Sequence, residues 1–294
     1  MLTFVAIIVT AIAWGIWVPL THKVKFPSSY TRVFYVAIAN LILAFFVARF
    51  SPYWAELTPR VMIFSFIGGI IWAISGACAF YASERIGIAK ANGTWAPLNI
   101  VFSITWGILL FGEFLDLPTP IKLLALLAVI IIIAGILMII TASGGKATKS
   151  MNSFLPYLAA IGTGVLWGTY FIPIRLTQAS TWAAAFPLGI GILVGSLIFV
   201  IISRSSLKLE KTKDYAITMT SGLLWGIGNY SSLILMERIG TGKGYTIAQI
   251  SLVINALISI FIFHQPSPKT KEALKTVIGI LVALAGAIIL GNLK

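Results

Sequence analysis

The side chains of this 294-residue chain that are placed to bind something at membrane depth are uncharged, and they fall in stripes. At about 100° per residue, Thr10, Trp14, Trp17 and Thr21 share one helical face, and Thr163, Trp167 and Tyr170 repeat that stripe later. Asn92, Trp95, Asn99 and Trp106 share a second face. Trp225, Gly228, Asn229 and Ser232 form a third, echoed by Trp72, Ser75 and Gly76. Tyr245 and Gln249 lie on one face of a further segment, with Ser251 and Asn255 on another. Amides offer both a donor and an acceptor to a hydroxyl, and aromatic faces cover the C–H face of a sugar ring. Such a lining suits a neutral polyhydroxylated solute. A charged solute calls for a compensating ion at depth, and none is expected there. The candidate binding residues are therefore Trp14, Trp17, Asn92, Trp95, Asn99, Trp167, Tyr170, Asn229, Tyr245 and Gln249.

Each stripe also has a plainer explanation. Tryptophans form interfacial belts, and Asn or Ser joins membrane helices with about 0.6 kcal/mol per contact. Recurrence of the same stripe at matched positions in both halves of the chain favours a shared lining. Lys90 and Lys243 lie about one turn inside their segments, and two readings stand for them: snorkelling to the interface, or cationic groups at the mouths of a pathway. All eight acidic residues fall in loops or within a turn of a helix end, so no midplane carboxylate marks a proton or cation site. That argues against an antiporter of the small-multidrug type, which needs a buried Glu in its first helix. Cys78 is the single cysteine, and His22 and His264 are far apart, so neither a metal site nor any other cofactor is expected. No nucleophile–base pair lies at depth either, and the chain is not expected to be an enzyme.

These residues need elements to hold them, and composition says which. Only 10% of residues are charged and 59% are apolar, with mean hydropathy +1.00. A soluble domain carries about 25% charge, so lipid must solvate much of this surface. The net charge of +13 is scattered through short segments between apolar runs, which is the pattern of membrane loops and not of a nucleic-acid binder. Ten runs approach the roughly 20 residues a span requires: about 2–20, 31–49, 60–82, 87–111, 120–141, 154–175, 182–203, 214–236, 241–264 and 273–291. The predicted fold is an all-α integral membrane protein.

An offset of 153 residues superposes the halves without a gap. Glu84-Arg85-Ile86-Gly87 and Lys90 then meet Glu237-Arg238-Ile239-Gly240 and Lys243. Residues 1–141 and 154–294 are the expected repeats, with 142–153 as linker. Five spans is an odd number, so the second repeat enters from the opposite side and the pair is inverted, as in many secondary transporters. Lys and Arg on the side of the 1–2, 3–4, 5–6, 7–8 and 9–10 loops outnumber the others about two to one, with Arg32 counted there. That places this side in the cytoplasm and both termini outside it, in a multi-pass protein of the cell membrane. Pro19, Pro97 and Pro173 are expected to kink the first, fourth and sixth spans. Gly191 with Gly195, Ala134-Gly135 and Ala285-Gly286 are expected to bring helices close.

Several segments resemble one family. They are Trp14-Gly15 with Pro19, Trp167-Gly168-Thr169-Tyr170-Phe171-Ile172-Pro173, Leu110-Phe111-Gly112-Glu113, Leu224-Trp225-Gly226-Ile227-Gly228-Asn229 and Tyr245-Thr246-Ile247-Ala248-Gln249-Ile250-Ser251, with Ile288-Ile289-Leu290-Gly291-Asn292 at the close. The chain is similar to the drug/metabolite transporter superfamily, and within it to the glucose/ribose porter branch of sugar uptake proteins, related to the rhamnose symporters. The resemblance implies a ten-helix sugar permease, with proton coupling left open. Its partners are then a small solute and membrane lipid, while the oligomeric state is left open. One departure is Phe263-His264-Gln265 where the branch carries a second Gly-Glu. His264 reads either as an interfacial residue or as a titrating partner in coupling. An exporter of amino acids or hydrophobic metabolites from the same superfamily, and a non-transporting accessory subunit, remain alternatives.

Overall fold

The computed structural model describes the backbone of residues 1–21, 24–50, 52–86, 88–142, 154–262, 264 and 267–293. Among them every regular element is helical. Lipid offers the backbone no hydrogen-bond partner, so apolar runs of this length close their bonds internally as helices. In chain order the helices are α1 Leu2–Leu20, α2 Ser29–Phe50, α3 Pro59–Ile86, α4 Ile88–Phe111, α5 Thr119–Ala142, α6 Phe154–Trp167, α7 Ile172–Leu176, α8 Thr181–Ser203, α9 Thr212–Ile239, α10 Thr241–Ala248, α11 Ser251–Phe261 and α12 Lys271–Asn292, with a short 3₁₀ turn at Pro52–Glu56. The linker from 143 to 153 lies outside the described residues.

These twelve helices occupy the ten expected spans, because α6–α7 and α10–α11 each fill one. Among the described residues, eight spans are long and apolar enough to cross a membrane. The other two are α9, which carries Asp214, Asn229, Glu237 and Arg238, and the interrupted, polar α10–α11 pair. The outer surface is apolar: Leu123 is 62% exposed, Ile202 73% and Ile288 64%. A surface of that kind needs lipid against it. The chain is a multi-pass membrane protein.

Small residues set the packing. A methyl on Gly191 would overlap the Phe66 carbonyl oxygen, and one on Gly135 would overlap the backbone of Ala283. The α3–α8 and α5–α12 contacts are therefore backbone-close, as the small-residue pairs lead one to expect. Helix α1 packs on α9 and α3 on α6; α2 packs on α9 and α3 on α8; α1 packs on α11 and α4 on α6. Helix α2 also packs on α8, α4 on α10 and α5 on α12.

One of the three expected proline positions coincides with a break in its span. The sixth span breaks between Trp167 and Ile172, with Pro173 in the first turn of α7. Pro19 sits in the last turn of α1, and α4 runs continuously through Pro97. A second break, between Ala248 and Ser251, has no proline at all. There the amides of Gln249, Ile250, Leu252 and Val253 bond three residues back, tightening the chain into a 3₁₀-like turn.

Candidate functional site

The helix faces singled out by their polar and aromatic stripes converge on one cavity of about 230 Å³. That lies a little below the roughly 300–1,000 Å³ typical of small-molecule sites. Its deep end is aromatic. Trp72 of α3 and Trp225 of α9 meet with ring centroids 4.3 Å apart, and Trp14 of α1 donates its indole N–H to the Trp225 carbonyl at 3.2 Å. Tyr245 of α10 stands edge-on to Trp14 and is tilted against Phe171 at 4.7 Å. A side wall is made where Trp95 of α4 meets Trp167 of α6 in a T-shaped contact at 5.6 Å.

The α6–α7 break positions Tyr170 in a turn held by several of its own hydrogen bonds. The Tyr170 amide donates to Leu166, and Ile172 donates to Thr169. The Thr169 hydroxyl turns back to Val165 and receives the Trp106 indole N–H at 2.9 Å. Irregular backbone at membrane depth is tolerated where it lines a cavity, and here the break carries Tyr170 of the cavity wall. The second break does similar work. It swings α11 relative to α10, so that Ser251 and Asn255 join Tyr245 and Gln249 around one space, although the straight-helix reading put them on different faces.

Trp14, Trp17, Trp95, Asn99, Trp167, Tyr170, Tyr245 and Gln249 all line the cavity. Asn229 does not. It is fully buried behind Tyr170, and its Oδ1 accepts the Tyr170 hydroxyl at 2.6 Å. The side chains of Asn92 and Lys90 lie outside the described residues. Lys243 is at the opposite end of the bundle from the cavity's half-exposed rim, where its Nζ donates to the Leu293 carbonyl at 2.8 Å. His264 is exposed just beyond α11, with a positive φ of 55°, and is not among the cavity residues.

Among the described residues that line the cavity, two uncharged polar atoms are buried without a partner, the acceptor Oδ1 of Asn99 and the donor Nε1 of Trp167, as are Nε and Nη2 of Arg32. Leaving such groups unpaired costs about 1–3 kcal/mol each, and a hydroxyl can serve both kinds.

Arg32 corrects the expectation that no charge reaches the solute space. The first turn of α2 begins at Ser29, so Arg32 belongs to the bundle and not to the loop, and its side chain lines the cavity. The guanidinium lies among the rings of Trp17, Phe26 and Phe80, 5.4–5.7 Å from their centroids. With Val18 and Ser83 it forms the half-exposed rim, at the end of the α1–α2 and α3–α4 connections.

The other end of the bundle is held by carboxylates. Glu113, just beyond α4, accepts the amides of Thr241, Gly242 and Lys243 at the N-terminus of α10. Glu237 of α9 accepts the amide and hydroxyl of Thr181 at the start of α8, and lies 3.9 Å from Arg175. Arg175 also donates to the Thr241 hydroxyl, and Glu56 accepts the amide of Ser180 at 2.7 Å. Anions are stabilised by free amides at helix N-termini, by up to about 2 kcal/mol when partly buried. Sequence reading put these acids at helix ends without revealing their partners.

A cavity between broken helices, half-exposed at one end and clamped at the other, has no arrangement for bond chemistry among the described residues. Comparison with known proteins agrees with that reading. Glucose uptake protein GlcU of Bacillus subtilis (strain 168) is 28% identical over 265 residues, covering 87% of this chain and 85% of its own length. A solved crystal structure is 20% identical and covers 100% of this chain and 99% of its own, with a TM-score of 0.69, which establishes the likeness of fold. The sugar transport protein family matches from residue 4 to residue 293. Across nearly its whole length, then, the chain belongs to the sugar transport protein family, a family of transporters and not of enzymes.

Proposed function

We propose that this chain is a secondary-active transporter that moves a monosaccharide across the cell membrane by alternating access. The observation that carries the solute class is the pair of uncharged polar atoms of the cavity wall with no partner among the described residues, Asn99 Oδ1 and Trp167 Nε1, set among aromatic faces. A sugar hydroxyl donates to the first and accepts from the second, while Trp14, Trp95 and Tyr245 cover its C–H faces. The glucose named for the Bacillus subtilis relative is consistent with this class.

Residues 1–141 and 154–294 act as two inverted five-span repeats. The helix contacts support this reading because they come in pairs exchanged by the 153-residue offset. Contact α1–α9 exchanges with α6–α3, α2–α9 with α8–α3, and α4–α6 with α11–α1, while α5–α12, α2–α8 and α4–α10 exchange with themselves. Rocking of one repeat against the other would open the clamped end and close the rim around a fixed site. The positive-inside bias puts the rim in the cytoplasm and both termini outside it.

Purified protein in vesicles tests this directly. Counterflow of labelled hexoses and pentoses, run with and without a pH gradient, is expected to show saturable sugar exchange, and the gradient arm reports whether protons are coupled. Amino-acid exchange without sugar exchange would overturn the proposal in favour of an exporter.

A further inference from the structure

The cavity carries a fixed positive charge that nothing described in the protein balances. Among the described residues, Arg32 Nε and Nη2 are buried with no hydrogen-bond partner and no Asp or Glu lines the cavity. The three rings around the guanidinium compensate it only in part, since a cation–π contact is worth about 0.5–2 kcal/mol. They also fix its position, leaving Nη1 as the nitrogen that meets a solute. A buried guanidinium is never deprotonated, and its loss of hydration is made good by an anionic oxygen far better than by a neutral one.

The geometry points to Arg32 as a specificity-determining residue that selects monosaccharides bearing a carboxylate, the aldonates and uronates, over neutral sugars. The inference rests on the sugar reading above and adds the charge of the solute. Arg32 stands at the rim end, on α2, whereas the hydroxyl-matching atoms of Asn99 and Trp167 and the Tyr245–Gln249 edge come from α4, α6 and α10. A sugar acid has the same division: a charged terminus and a hydroxylated body. The cavity's lining orients it with the carboxylate toward Arg32 and the body among the indoles.

The test uses the full-length protein in vesicles, with labelled D-glucuronate, D-gluconate and D-glucose at equal concentration. The wild type is expected to take up at least one acid in preference to D-glucose, and unlabelled D-glucuronate is expected to compete with D-glucose uptake, a measurement that needs no variant. Arg32→Gln is expected to lose roughly 10–100-fold in the ratio of acid uptake to D-glucose uptake at low concentration. Arg32→Lys is expected to recover part of the loss, because it restores charge but not the planar fork. A monodisperse size-exclusion profile and an unfolding temperature close to that of the wild type show that the variant is folded. D-glucose uptake by the wild type with neither transport of nor competition by the acids would overturn the inference and leave the sugar reading standing. Equal loss of acid and neutral uptake in Arg32→Gln would make Arg32 a structural residue. Absence of any sugar flux would remove the sugar reading itself.

Discussion

The Tyr170 hydroxyl donates to Oδ1 of Asn229 across 2.6 Å, tying the α6–α7 break to the middle of α9. Both residues are buried, and the Asn229 backbone carbonyl is held in turn by the Ser232 hydroxyl at 2.7 Å. Asn229 therefore acts on the cavity through Tyr170, whose ring is part of the wall. Removing the hydroxyl alone strands a buried amide, whereas removing both polar groups does not.

That asymmetry is measurable. Tyr170→Phe is expected to lower the stability of the detergent-purified protein by about 1–3 kcal/mol, and adding Asn229→Leu to it is expected to return part of the loss. Thermal unfolding of the two single variants and the double variant closes the cycle. Strictly additive losses would mean that the two side chains are not energetically coupled.

The cavity wall was largely legible in the sequence because α1, α4 and α6 up to Trp167 are regular, and angular arithmetic holds along a regular helix. Trp14 with Trp17, Trp95 with Asn99, and Trp167 all face the cavity as their stripes require. Three features were hidden, each for its own reason. Arg32 stood at the edge of a span expected from residue 31, whereas α2 begins at Ser29 and turns Arg32 inward against Trp17 and Phe80. The break at Gln249 and Ile250 is marked by no proline or glycine, only by a change to i→i−3 bonding that no single residue type signals. Glu113 finds its partners 128 to 130 residues away, so only the tertiary packing of α4 on α10 reveals its role.

The site prediction concerns the unpaired wall. Asn99→Ala and Gln249→Ala are each expected to raise the KM for sugar uptake about 2- to 12-fold, the worth of one ordinary hydrogen bond of roughly 0.5–1.5 kcal/mol. Trp167→Phe keeps an aromatic face and removes only the donor, so a change of similar size is expected. Uptake kinetics in vesicles decide the matter, and unchanged kinetics in all three variants would dissociate the cavity from the solute.

Packing predicts a contrast between two glycines. Gly135 meets the backbone of Ala283 and the carbonyl of Gly279, while Gly162 has nothing within 4 Å of an added Cβ. Gly135→Leu is therefore expected to separate α5 from α12 and cut the yield of monodisperse protein severely. Gly162→Ala is expected to be neutral or to stabilise α6 by up to about 1 kcal/mol, because alanine favours the helix. Size-exclusion profiles and thermal unfolding distinguish the two outcomes.

The clamp at the far end of the bundle makes the last prediction. Glu113 meets three consecutive amides of α10, and its charge is favoured there by the helix N-terminus. Glu113→Gln keeps the shape of the side chain but removes the charge, and a neutral amide has one acceptor oxygen in place of two. A loss of about 1–2 kcal/mol in the state closed at that end moves the equilibrium toward the state open there by roughly 5- to 30-fold. With Cys78 replaced by Ala and a cysteine placed at Phe111, on the last turn of α4, maleimide labelling from that side is expected to accelerate by a comparable factor. Excess sugar added to the opposite side, which binds and stabilises the present conformation, is expected to slow it again. Labelling that is as slow in Glu113→Gln as in its parent would show that Glu113 caps α10 without controlling access.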